Sequence, residues 1–221
     1  MSKDTKMARN MMKLMYRYVQ KHYPKEKDTL MAGIEKYYRQ FKAECSDLGG
    51  DDNMLAGNLD MGLIVFAAYE ASGHRMGAEA IDELMEMRME MLSKYGRILN
   101  ANKKWMTKLM ETSYKSYKKK LDKKLAAGEW GNTWGMEINP DGHDEGFAFT
   151  LIGCPIAEFA KKHGYLDLMP HLCASDHALA RMMHAKLIRT YTVALGSDRC
   201  DYWYVGDKSE KLKEYKNVEI V

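Results

Sequence analysis

Three of the four cysteines in this chain stand close to acids in its C-terminal third. Cys173 comes three residues before Asp176 in HLCASDH. Cys200 directly precedes Asp201 in GSDRCDYWY, and Cys154 comes four residues before Glu158 in GCPIAEF. A thiol beside a proton acceptor is the material of nucleophilic catalysis. On a helix, positions i and i+3 share a face, so Cys173, Asp176, His177 and Ala180 would line one stripe. His177, or His171 ahead of the pair, would be within reach of the thiol proton. Capping or surface use is the commoner fate of a single histidine. Asp176 would orient a histidine or hold a cationic group of a substrate. On a strand, Cys200 and Asp201 point to opposite faces, so only one can face a cavity. Arg189, in the strand expected to pair with theirs, has the fork that clamps a carboxylate, or it forms a cross-strand ion pair with Asp201. Cys154 precedes Pro155, a residue favoured at the first helical position. A thiol there gains thiolate character from the helix N-terminus, although Glu158 one turn on works against it. A small buried residue at a strand end is the equal alternative.

Metal binding fits the spacing poorly. Positions 154, 173 and 200 are far apart and lack the close cysteine pairs of structural zinc sites. No metal ligand and no cofactor is therefore assigned, and a metal ion held by thiolates gathered in space is kept as a minority reading. The chain also lacks a Gly-rich phosphate loop and a G-x-S-x-G elbow.

Periodicity shows what must position these residues. Residues 7–22 repeat apolar side chains at helical spacing and stop at Pro24. A second helix is expected from about Asp28 to Asp47, with Gly49-Gly50 as its C-cap. LDMGLIVFAAYEA, capped by Asn58 or Asp60 and ended by Gly73, is apolar nearly all round and should be buried. An amphipathic helix follows, with a stripe of Ile81, Leu84, Met85, Met89 and Leu92. A long lysine-rich helix spans about 102–127, with Trp105, Leu109, Tyr117, Leu121 and Leu125 as its apolar positions. At Gly128 the pattern changes to a strand, a PDG turn and a second strand. Two short helices follow, and then a hairpin over 187–205 that turns at Gly196-Ser197-Asp198. KSEKLKEYKNVEIV reads as a mobile tail ending in a short edge strand. The expected class is α+β. A helical N-terminal half (1–127) packs on a small antiparallel sheet with two inserted helices (128–206), and a tail (207–221) follows, all in a single domain.

Composition narrows the function. Basic and acidic residues nearly balance, at 34 against 31, so charge does not argue for a nucleic-acid partner. The lysines at 115, 118–120 and 123–124 have no interleaved arginine and read as a solvated face. The 19 methionines read as core filler. No signal peptide and no run of membrane-spanning length is visible, so a cytoplasmic chain with reduced thiols and no membrane partner is expected. The Met-rich faces are compatible with a homodimer.

Taken in order, Cys154 with Glu158, Cys173-Ala-Ser-Asp176, Arg189-Thr-Tyr-Thr192, Gly196 and Cys200-Asp201 before an aromatic strand resemble the 2-aminothiazoline-4-carboxylate hydrolase family. The strong part covers about 147–205, with a weaker match in LIVFAAYEA. The resemblance implies a hydrolase of non-peptide carbon–nitrogen bonds in a small carboxylated cyclic amidine, giving a carbamoyl-type product. Its substrate is a small molecule. In that setting Cys173 or Cys200 is the nucleophile, with Cys154 beside them. Asp176 or Asp201 partners the amidine, with His177 nearby, and Arg189 clamps the carboxylate. The run Tyr202-Trp203-Tyr204 departs from the family tendency toward a polar or basic middle residue, which bears on the substrate. The alternative is a non-catalytic module whose cysteines bind a metal or small ligand for sensing or sulfur handling.

Overall fold

A computed structural model describes residues 4–93, 96 and 98–215. The chain divides into two compact units. One comprises Met1–Arg88, Lys124–Thr133 and Pro155–Leu172, and the other Met89–Lys123, Trp134–Cys154 and Cys173–Val221. The class is α+β, as expected, with helices dominating the N-terminal half and an antiparallel sheet in the C-terminal half.

The first unit is built on α1 (Lys6–His22), α2 (Lys27–Glu44) and α3 (Ala56–Ala71). Helix α3 is apolar nearly all round, and α1 and α2 both pack on it. Met11, Leu14 and Met15 from α1 and Leu30 and Ile34 from α2 are buried, which bears out methionine as core filler. Rings of Phe41, Phe66, Phe159 and Tyr165 pack in stacked and tilted pairs with centroids 5.0–6.4 Å apart; Phe159 lies on α6 (Pro155–His163). Two expected caps are different. Helix α2 ends at Glu44, and Gly49, at φ +86°, instead opens the short 3-10 turn Gly50–Asp52. Asn58 and Asp60 lie inside α3. Asp60 is buried and accepts from the Thr5 N–H at 3.2 Å and its hydroxyl at 2.6 Å, while Lys42 Nζ reaches it at 3.1 Å. A buried carboxylate needs such partners, so Asp60 is taken up by tertiary contacts rather than by capping.

The second unit is organised around the four-stranded antiparallel sheet β1 (Gly135–Ile138), β2 (Phe147–Ile152), β3 (Ala185–Ile188) and β4 (Arg199–Gly206), in the order β1-β2-β4-β3. Phe149 pairs with Tyr202, Leu151 with Cys200 and Leu187 with Tyr204, which puts these side chains on one face. Ala148, Ile188, Trp203 and Val205 form an apolar cluster on the other, covered by Leu212 and Tyr215. Gly146 opens β2 at φ +82°; a Cβ there would lie 2.3 Å from the Tyr204 carbonyl oxygen, so a side chain does not fit. Helix α5 (Lys104–Ala126) sends Tyr114 onto Phe147 and Phe149, at centroid distances of 4.6 and 4.8 Å.

Three further expectations change. On α5, Leu121 is buried as expected, but Trp105 and Leu109 are exposed, and Met106 and Thr107 are buried in their place. A spacing of four drifts around a helix of 3.6 residues per turn, and the true face is the one that drifts less. On α4 (Ala78–Leu92), Ile81, Leu84 and Met85 are buried, but Met89 and Leu92 only partly so. The predicted 187–205 hairpin pairs as expected, but its first strand stops at Ile188, and a 3-10 turn, Val193–Leu195, replaces the alternating residues up to Ala194. Within the tail, the described residues include the 3-10 turn Glu210–Lys213. Its expected edge strand lies outside the described residues.

Candidate active site

The truncation of β3 has a local cause. The Asp201 carboxylate accepts both the Thr190 N–H at 2.9 Å and the Tyr191 N–H at 2.6 Å, drawing the chain out of the sheet ladder. Its neighbour Cys200 holds the next stretch, because the Val193 N–H donates to Cys200 Sγ at 3.2 Å. The thiol in turn donates to Thr192 Oγ1 at 3.7 Å, and Thr192 caps the turn by accepting from the Ala194 N–H at 3.3 Å. Thr192 and Cys200 are both buried.

Arg189 directly follows β3 and is 1% exposed. Its Nη2 donates to Asp176 Oδ2 at 2.7 Å, its Nε donates to the Asp201 carbonyl oxygen at 3.3 Å, and its guanidinium lies over the Tyr202 ring at 4.2 Å. The third nitrogen, Nη1, is buried without a hydrogen-bond partner among the described residues. Burial works against the arginine's charge, but Tyr202 and Asp176 outweigh it and raise its pKa above the usual value. An unsatisfied buried donor on a charged group is costly, and in native structures it calls for an explanation.

Asp176 lies on α7 (Met169–Met182), one helical turn after Cys173. Burial first, then Asp176 and the neighbouring thiols of Cys200 and Cys154, push the Cys173 thiol up to about 12, with Arg189 pulling the other way. Cys154, Cys173, Cys200, Asp176 and Arg189 are therefore within electrostatic reach of one another's surroundings. Burial and Asp176 likewise push Tyr114 up to about 12 and raise Tyr202 and Tyr204, so all three phenols keep their protons at neutral pH.

Of the residues singled out from sequence, Arg189, Asp176, Cys173, Cys200 and Cys154 come together, all within the second unit. Cys154 is half-buried and immediately precedes α6. Asp201 faces the other side of the sheet from Cys200, and its carboxylate is engaged by the 190–191 backbone. Arg189 accordingly pairs with Asp176 rather than with the Asp201 carboxylate. His177 is half-buried on α7, while His171 is bonded to Asp82 at 2.9 Å within the first unit. Glu158 is bonded to Asn132 at 3.2 Å, also in the first unit. Trp203 lies on the face away from Cys200, where His143 stacks on it at 3.8 Å and its Nε1 donates to the Glu145 carbonyl at 2.8 Å. The departure at Trp203 thus falls outside this site. Sequence reasoning missed the tyrosines. Tyr202 and Tyr204 carried a signal, since both alternate with Trp203 in the strand that holds Cys200. Tyr114 carried none, because it sits on a lysine-rich helix far away in sequence.

The family model described as L-2-amino-thiazoline-4-carboxylic acid hydrolase matches residues 57–204. The chain belongs to this family. The match starts well before the 147–205 stretch that carries the resemblance, running from within α3 to Tyr204 in β4, and it includes Asp176, Arg189, Cys200, Asp201 and Tyr202. Comparison with curated proteins and with solved structures found no match. In this member of the L-2-amino-thiazoline-4-carboxylic acid hydrolase family, no group of three or more His, Cys, Asp or Glu side chains among the described residues is placed to hold a metal ion. No helix among them is long and apolar enough to cross a membrane.

Proposed function

We propose that this chain hydrolyses a non-peptide carbon–nitrogen bond in a small carboxylated cyclic amidine or a related heterocycle, with a cysteine as nucleophile. The observation that carries the reading is Arg189. It is buried and charged, it is braced by Asp176 and Tyr202, and its Nη1 has no hydrogen-bond partner among the described residues. A substrate carboxylate satisfies that donor. The second oxygen of Asp176 suits the amidine nitrogens, and a thiol suits the carbon between nitrogen and sulfur. His177, on the same helix, stands near the acid. Asp201 serves the site through the loop it holds.

The test is turnover of 2-aminothiazoline-4-carboxylate, followed by the loss of the ring and the appearance of a carbamoyl product. Single Ala variants of Cys154, Cys173 and Cys200 accompany it. Loss of turnover in at least one variant is expected. Full activity in all three removes covalent cysteine catalysis, and no ring opening with any small cyclic amidine leaves the non-catalytic ligand-binding module in its place.

A further inference from the structure

We infer that α5 lays its exposed face on an anionic lipid surface, with Trp105 and Leu109 entering the headgroup layer and Lys104, Lys108, Lys119 and Lys123 meeting the lipid phosphates. This contact is independent of the hydrolase reading.

Helix α5 has two sides. Met106 and Leu121 are buried, and Tyr114 between them packs on Phe147 and Phe149, so that side faces the sheet. Positions 105, 109, 112, 116, 119 and 123 recur at intervals of three and four and form the other side. Every one of them is exposed. At its N-terminal end this side carries Trp105, 59% exposed, and Leu109, 57% exposed. Two large apolar side chains one turn apart present surface that a partner can take out of water. Spacing alone puts Trp105 inside and leaves the lysines a solvated face. Its exposure gives them an aromatic anchor.

The charge around that anchor is one-sided. Lys115 pairs with Glu111 and Lys118 with Asp122 along the helix. Lys104, Lys108, Lys119 and Lys123 are exposed and have no ion-pair partner among the described residues. The first turn holds no acid, so the positive end of the helix dipole adds to Lys104 and Lys108. From Trp105 to Lys123 the face runs roughly 27 Å, and the unpaired lysines are spread along it.

That combination selects the occupant. A second copy docked face to face sets lysine against lysine, which like-charge repulsion opposes. Lysine has no fork with which to read a fixed pattern of acids on a folded partner, whereas an anionic lipid surface needs only point charges. Tryptophan settles at headgroup level, and lysine stems lie along the apolar layer with their ammonium groups at the phosphates. The contact is peripheral, since no helix among the described residues is long and apolar enough to cross a membrane.

The test mixes the full chain with vesicles of phosphatidylcholine alone, or with roughly one-third phosphatidylglycerol, at about 0.1 M salt, and sediments them. Binding to the anionic vesicles and not to the neutral ones is expected, falling at least about tenfold as salt rises toward about 0.5 M. Trp105 is exposed while Trp130, Trp134 and Trp203 are buried, so binding should shift the intrinsic fluorescence to the blue through Trp105. Lipids brominated in the upper acyl chain should quench the shifted part. Both readouts use the unaltered chain. Trp105→Ser with Leu109→Ser, and separately Lys108→Glu with Lys119→Glu, should each lower the bound fraction at least about tenfold. Absent binding to anionic vesicles, equal binding to both kinds, binding that leaves the fluorescence unshifted, or binding that survives both double variants overturns the inference. Retention on polyglutamate but not on anionic vesicles overturns it in favour of an acidic polypeptide. Self-association that Leu109→Ser abolishes, without vesicle binding, overturns it in favour of a second copy. Ring opening is no part of these readouts, so the hydrolase reading stands or falls separately.

Discussion

Arg189 Nη2 meets Asp176 Oδ2 at 2.7 Å, joining the end of β3 to the middle of α7. The arginine is almost wholly buried, whereas the Asp176 side chain is 29% exposed. The pair is therefore lopsided. Its cation depends on the acid, and the acid also reaches solvent.

That asymmetry predicts a double-mutant result. Asp176→Ala strands a buried cation and should cost about 3 kcal/mol in denaturant unfolding, the low end for breaking a buried pair because solvent reaches the acid's side. Adding Arg189→Met removes the stranded charge and should recover part of the loss. If the double variant is less stable than the sum of the singles, the pair is not what holds this corner.

Asp201 should behave as a loop anchor. Asp201→Ala frees the Thr190 and Tyr191 N–H groups and should cost about 2 kcal/mol, the scale of hydrogen bonds to a charged acceptor. Hydrogen exchange should accelerate at Thr190, Tyr191 and Val193 while the β2–β4 ladder stays protected. Unchanged exchange at those amides would show that the loop is held by something else.

The sheet faces make a prediction about neighbours in sequence. Trp203→Phe should lower stability through lost packing and the lost bond to Glu145, with substrate preference unchanged. Tyr202→Leu removes the platform beneath Arg189, worth about 1–2 kcal/mol for a desolvated cation on a ring, and should raise KM roughly tenfold. Steady-state kinetics on a pair of carboxylated heterocycles separates the two. A change of preference in the Trp203 variant would reverse the assignment of faces.

The first unit has an acid-sensitive contact of its own. Burial raises the Asp4 carboxyl, but hydrogen bonds from Arg39 and Lys42 outweigh it and hold the carboxyl down at about 2, against an ordinary 3.8. A depressed folded-state pKa means that the stabilisation is present above about pH 4 and is lost as pH falls toward 2. Its size is no more than about 2 kcal/mol. Asp4→Asn should lower stability at pH 7 and flatten the acid limb between pH 4 and 2 in pH-dependent unfolding. An identical limb in the variant would place the acid sensitivity elsewhere.

The helices were legible because their apolar residues recur at a period the backbone imposes, and because Pro24, Gly73 and Gly128 punctuate them. The α+β class followed from the change of period at Gly128. Errors came where tertiary partners overrode a local signal. Asp60 has the chemistry of a cap but is drawn to Thr5 and Lys42. Residues 190–194 alternate like a strand but are captured by the Asp201 carboxylate and the Cys200 sulfur.

The sequence by itself determined which residue types were at hand: three thiols, Asp176, Arg189 and an aromatic strand, in an order that resembles one hydrolase family. It also required Cys200 and Asp201 to face opposite ways, because side chains alternate along any strand. Which of the two faces the arginine was decided only by the pairing of β4 with β2 and β3. Only the fold could set Arg189 on Tyr202, bring Asp176 to it from another element and leave Nη1 without a partner. Such contacts join residues far apart along the chain, and no local periodicity encodes them.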